Sequence, residues 1–142
     1  MKNRILALVG LALFAAVSAS AQNQPLAQVN VPFAFEFGSQ QMPAGQYSIK
    51  HLNGTYNVIV LQGPGGANVN AMVRDEDAKT VPHQGYILFH QIGNRYFFAG
   101  IWSKGERAGQ AIYPGSAEKE AMKSLNRTSS LTTLALNTIP AR

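Results

Sequence analysis

Turn signals interrupt this chain at intervals of roughly eight to twelve residues, and most segments between them alternate apolar and polar side chains. The turns are Gly38-Ser39, Pro43-Ala44-Gly45, Asn53-Gly54, Gly63-Pro64-Gly65-Gly66, Gly93-Asn94, Lys104-Gly105 and Pro114-Gly115. Spacing this short leaves little room for helices, and a period of two places one face of each segment against a core. The expected fold is therefore all-β: an antiparallel β-sandwich or small β-barrel of seven or eight strands, with one short C-terminal helix.

The first strand is expected over Gln28 to Phe37, within which VNVPFAFEF puts Val29, Val31, Phe33, Phe35 and Phe37 on one face. Pro32 has no N–H to donate, which places this strand at a sheet edge or at a bulge. The same alternation puts Glu36 on the opposite, solvent-facing side. Gly38 to Gln41 reads as a turn. Gln46 to His51 carries Tyr47 and Ile49 inward, and Asn53-Gly54 suits a type I′ hairpin into Tyr56–Gln62. The apolar run Val58 to Leu61 marks that strand as central and buried on both sides.

Asn68 to Arg74 alternates with Val69, Ala71 and Val73 inward, and Asp75 to Gln84 is the longest polar connection. Tyr86–Ile92 and Arg95–Ser103 form a second hairpin, and a shorter strand follows around Gln110 to Tyr113. Within the partner strand, Tyr96, Phe98, Gly100 and Trp102 share one face, and Phe97, Ala99 and Ile101 share the other. Ser116 can cap a helix from about Ala117 to Asn126. Its acidic residues lie early and its basic residues late, as the helix dipole prefers. Ala117, Ala121 and Leu125 fall at four-residue spacing. Ser129 to Ile139 reads as a last strand, stopped by Pro140.

The N-terminus sets the compartment. Lys2 and Arg4 precede an apolar run of thirteen residues, Ile5 to Val17, and Ala19-Ser20-Ala21 follows as a small-x-small cleavage site. This pattern predicts a secretory signal peptide over residues 1–21, too short to span a membrane, and a single β-rich domain over residues 22–142 that begins with a loose arm. The expected location is periplasmic or extracellular, with no transmembrane segment after cleavage. The chain has no cysteine, so neither disulfides nor a lipidated cysteine contributes, and the domain must rely on its core.

Without Lys2 and Arg4, ten basic side chains face seven acidic ones, a net charge of +3. The basic residues are scattered, which excludes a nucleic-acid partner on charge grounds. His51, His83 and His90 lack metal-ligand spacing. Asp75-Glu76-Asp77 lacks the calcium-loop pattern, and no G-x-S-x-G elbow or phosphate loop occurs. No motif calls for a catalytic residue, a cofactor or a metal.

Three segments taken together resemble a known group. They are VPFAFEFG…MPAGQYSI (Val31 to Ile49), ILFHQIGNRYFFAGIW (Ile87 to Trp102) and SAEKEAMK (Ser116 to Lys123). The chain resembles small exported proteins, abundant in acidobacterial genomes, that carry a PFxF…PAGxY segment and a later YFxxxxW strand. The resemblance covers most of the chain after the leader. It implies a bacterial exported protein and assigns no activity and no site residue.

The strand Tyr96–Trp102 is apolar on both faces, so one face fills the core and the other must meet the helix, a partner or a ligand. The expected function is that of a non-catalytic binding or interaction protein of the cell envelope. A small apolar ligand between sheet and helix would be lined by Phe35, Tyr47, Phe98 and Trp102. The alternatives are a structural envelope protein that pairs with another protein through a sheet edge, and a hydrolase with a dispersed site.

Overall fold

Ten strands and one α-helix make up residues 25–125 and 130–135, the residues described in this computed structural model. Residues 1–24, 126–129 and 136–142, with the expected signal peptide, the start of the loose arm and both ends of the expected last strand, lie outside the described residues, and the arm's last residues, Ala27 and Gln28, already belong to β1. The strands are β1 (Ala27–Val31), β2 (Phe35–Phe37), β3 (Gln40–Met42), β4 (Gly45–Leu52), β5 (Thr55–Gln62), β6 (Asn68–Asp77), β7 (Tyr86–Ile92), β8 (Arg95–Trp102), β9 (Ala108–Ile112) and β10 (Ser130–Ala135). The helix α1 spans Ser116–Leu125, with a 3-10 turn at Pro64–Gly66. The all-β expectation holds, with more strands than the seven or eight foreseen.

One sheet orders β1-β4-β5-β6, and a second continues from β6 through β9 and β8 to β7 and β10, with β2 and β3 also joined to β8. All pairings are antiparallel except β2 with β8. The path does not close into a barrel: β1 and β10 approach each other without pairing. The result is a sandwich, filled between its sheets by inward side chains from both. Val29, Tyr47, Ile49, Ile59, Leu61, Phe89 and Phe98 are all 2% exposed or less.

Two segments cross between the sheets. Asn68 to Met72 of β6 pair with β5, and Val73 to Asp77 pair with β9. The opening segment VNVPFAFEF also crosses. Pro32 breaks the ladder, so Gln28 to Phe37 is two strands in two sheets rather than one. Val29 and Val31 enter the core from one sheet and Phe35 and Phe37 from the other, with Phe33 half-buried between them.

Several expectations are corrected. Glu36 does not face solvent: β2 is covered on both faces, and the Glu36 residue is only 8% exposed. Gln40 and Gln41 belong to strand β3, which pairs with β2, so the turn there is only Gly38-Ser39. Asp75 to Asp77 extend β6 against β9 instead of opening a loop. The two-sided burial of β5 is confined to Ile59, Val60 and Leu61, and Val58 is half-exposed.

The β7–β8 hairpin has the expected turn and β7 the expected ends, while β8 stops at Trp102, one residue short; within it Leu88 pairs with Gly100 and Phe89 with Phe98. Ala99 is thus an extra residue, and the side-chain alternation changes phase there. Phe98 and Ile101 both reach the main core, while Trp102 turns to the outer face. There it packs with Ala78 and Ala111 and stacks on Tyr86 at 5.3 Å. Its indole N–H donates to the Glu76 carbonyl at 3.2 Å. The indole lies across Gly109, where any Cβ would collide with it, so this approach requires glycine.

Helix α1 covers Ile92 and Phe97 with Ala117, Ala121 and Met122. The expected inward stripe is shifted: Ala121 is buried, Leu125 is exposed, and Glu118 turns inward at 4% exposure. The Glu118 carboxylate is held by His90 Nδ1 on β7 at 2.5 Å. No helix among the described residues is long and apolar enough to cross a membrane.

Candidate functional site

Phe35, Tyr47 and Phe98 lie together in the main core and are sealed by their neighbours. Phe35 meets Tyr47 edge-on at 5.2 Å and Phe89 at 5.3 Å, and Phe98 packs on Phe37 at 5.1 Å and Phe89 at 5.8 Å. The Tyr47 hydroxyl donates to the Pro43 carbonyl at 2.5 Å, and burial pushes its pKa up. Trp102 is on the outer face, away from these three, because of the phase change at Ala99. The four residues expected to line a ligand are therefore not brought together, and the helix lies on a different face from the first three.

A different space opens at one end of the sandwich. It is a cleft of about 400 Å³ where the first residues of β1, β5 and β9 meet the last residues of β4, β6 and β8. Its floor is apolar, formed by Leu26, Ala27 and Ile101, and its walls carry His51, Asp75 and Gln110. The inward phase of each strand sets these positions. His51 follows Tyr47 and Ile49 on β4, and Asp75 follows Val69, Ala71 and Val73 on β6. Gln110 precedes Ile112 on β9 and pairs with both Asp75 and Ile101. Polar side chains occupy inward positions only where the strands run out of core to cover.

A hydrogen-bonded chain fixes the polar wall. Gln110 Nε2 donates to the Tyr56 carbonyl at 2.7 Å, so its Oε1 is turned to His51 Nε2 at 3.0 Å. An amide oxygen only accepts, so His51 Nε2 is the donor of this bond. The Tyr56 ring meets His51 edge-on at 5.2 Å and is otherwise 77% exposed.

The rim is tied down as well. Gly105 N–H donates to the Pro82 carbonyl at 2.9 Å, and Ala78 N–H donates to the Arg107 carbonyl at 2.8 Å. The Arg107 Nε–H returns a bond to the Ala78 carbonyl at 3.3 Å. These bonds join the loop after β6 to the loop after β8, which presents Ser103, Lys104 and Glu106 to the cleft.

Chemically the cleft offers hydrogen-bond donors and acceptors above an apolar floor. Ser103, His51 and Asp75 all line it, but the described His51 bond goes to Gln110 rather than to a nucleophile or a carboxylate, as base catalysis would need. Among the described residues, no three histidine, aspartate or glutamate side chains converge as metal ligands. A second, more open groove of about 640 Å³ runs beside β3, past Glu36 and Arg95. Its charged groups already satisfy each other: Arg95 Nε and Nη2 both donate to Glu36 Oε1, at 2.8 and 2.5 Å.

His51 and Asp75 are weighed in the sequence only as metal-ligand candidates that lack the spacing, and no motif marks Gln110. Their signal in the sequence is a polar residue at an inward position beside a turn: His51 before Asn53-Gly54, and Gln110 one step from Ile112. No protein-family model, curated protein or solved structure matches this chain.

Proposed function

We propose that this chain is an exported, non-catalytic binding domain of the bacterial cell envelope, with its ligand site in the cleft at the end of the sandwich. The observation that carries this reading is the combination of a filled core with a tied, polar-walled cleft of about 400 Å³. Such a volume lies within the usual range for small-molecule sites, which favour an apolar lining with a few placed polar groups. Export rests on the leader pattern of residues 1–21. The non-catalytic reading rests on His51 and Gln110 being committed to each other and to backbone.

Association through a sheet edge is the second reading. Among the described residues the strands with a single partner are β1, five residues beside β4, β10, six residues beside β7, and the three-residue β3 beside β2, so β1 and β10 are the edges long enough to take a partner strand. Native mass spectrometry of the protein recovered from its own cell envelope separates the two. A monomer starting at Gln22 that carries a non-covalent small-molecule adduct supports the binding domain. An adduct-free oligomer supports the edge reading, and a chain retaining residues 1–21 refutes cleavage.

A further inference from the structure

The groups around the end cleft restrict its ligand to a chemical class, given the reading of that cleft as a binding site. Asp75 and Glu106 are offset in part by Lys104, and His51 is held by an amide rather than a carboxylate. Among the described residues that line the cleft there is no arginine, so the planar fork that grips carboxylate or phosphate is missing. A strongly charged ligand is not selected here. A long apolar chain is not accommodated either, because the core behind Ile101 is filled by Ile49, Ile59 and Phe89, each fully buried.

What the cleft does present is a set of both donors and acceptors beside one exposed aromatic ring. Gln110, Ser103 and Lys104 can donate, and Asp75 and Glu106 can accept. Tyr56 is the most exposed large hydrophobic side chain among the described residues, at 77%. Its backbone is anchored by the Gln110 bond to its carbonyl, and its ring meets His51 at 5.2 Å. An exposed ring beside a polar cleft is a platform for a partner with one apolar face and a polar perimeter.

A pyranose ring has that shape, with C–H groups on its face and hydroxyls around its edge. Each hydroxyl both donates and accepts, so it suits a wall that mixes carboxylates with an amide and an ammonium. We infer that the end cleft binds a neutral saccharide, its ring face against Tyr56 and its hydroxyls toward Asp75, Gln110 and Glu106.

The test is an NMR titration of the isotope-labelled protein with glucose, galactose, N-acetylglucosamine and maltose, with glucuronate as the anionic probe and decanoate as the apolar one. The expected result is saturable amide shifts around Tyr56, Asp75 and Gln110 with at least one neutral sugar. Tyr56→Ala should weaken that binding about tenfold while Tyr56→Phe retains it, since the ring face supplies the contact. Thermal melts of both variants confirm that they fold, as an exposed position predicts. Saturation of the cleft by decanoate or glucuronate but by no neutral sugar overturns the saccharide inference and leaves the binding-domain reading standing. Sugar binding unchanged in Tyr56→Ala overturns the inference too. Shifts from none of the probes overturn both.

Discussion

Glu36 is the residue at which alternation and environment part company. A carboxylate opposite three phenylalanines belongs in water by pattern, yet it lies under the Arg95 guanidinium, which also sits 4.9 Å over the Phe97 ring. The two partners are unequally buried, with side-chain exposures of 10% for Glu36 and 44% for Arg95. Removing either partner therefore has different consequences. Arg95→Ala leaves a buried carboxylate unpaired and should cost about 1–3 kcal/mol, whereas Glu36→Gln keeps a hydrogen-bonding group beside an arginine that still reaches water and should cost about 1 kcal/mol. Urea unfolding of the two variants checks the order, and equal losses would show that the pair is solvated. Tyr47 gives a second residue-scale prediction. Its phenol ionises near 10.0 when unfolded, and burial raises that value in the fold. The unfolded chain thus releases the proton first, so stability is complete below about pH 10 and declines as the pH rises through the folded value. Tyr47→Phe should flatten this decline in a series of denaturant midpoints from about pH 9 upward. Part of the slope should remain, because burial also raises Tyr86.

At the scale of elements, α1 is fastened by one side-chain hydrogen bond, Glu118 to His90, in addition to its apolar face. A ten-residue helix is marginal alone, and Ala117, Ala121 and Met122 give it only small and medium contacts over Ile92 and Phe97. Glu118→Ala removes the His90 bond and should cost about 1–2 kcal/mol. Hydrogen exchange should show faster opening in Ser116–Leu125 than in β7 and β8; protection lost equally everywhere would mean that helix and sheet open as one unit. The elements readable in the sequence were those whose ends are enforced by local turn chemistry. Asn53 and Gly54 take φ of 47° and 75°, as the Asn-Gly signal requires, and the Tyr86–Ile92 boundaries were read correctly for the same reason. The elements misread are those decided by partners far away in the chain. Gln40 and Gln41 form a strand because β2 pairs with them, and Asp75 to Asp77 do so because β9 does. The extra residue Ala99 leaves no mark in an unbroken apolar run, yet it moves Trp102 away from Phe35, Tyr47 and Phe98, with which it was expected to line a ligand. The end cleft was hidden for a related reason: His51, Tyr56, Asp75 and Gln110 come from four different strands, and only the pairing brings them together.

At the scale of the whole molecule, core and cleft wall are two consequences of the same alternation. Ala27 and Ile101 belong to both the core and the cleft floor, whereas His51, Asp75 and Gln110 are polar at inward positions near the strand ends, so the walls can change without the core. Phe89 is fully buried and touches Phe33, Phe35 and Phe98. Phe89→Ala should cost about 3–5 kcal/mol, since a filled interior collapses poorly around a lost ring. Ala108 lines the cleft from an exposed position on β9. Ala108→Trp should fill the opening while shifting stability by no more than about 0.5 kcal/mol. Two origins for the cleft then make opposite predictions. A packing defect would be repaired by the tryptophan, and the melting temperature would rise. A binding site would keep its stability and lose its ligand, because the substitution sits at an exposed position and blocks the opening without entering the core. Paired thermal melts and native mass spectra of Ala108→Trp distinguish the two: an unchanged melt with the adduct gone identifies a site, and a raised melt with the adduct retained identifies a defect and places the ligand elsewhere.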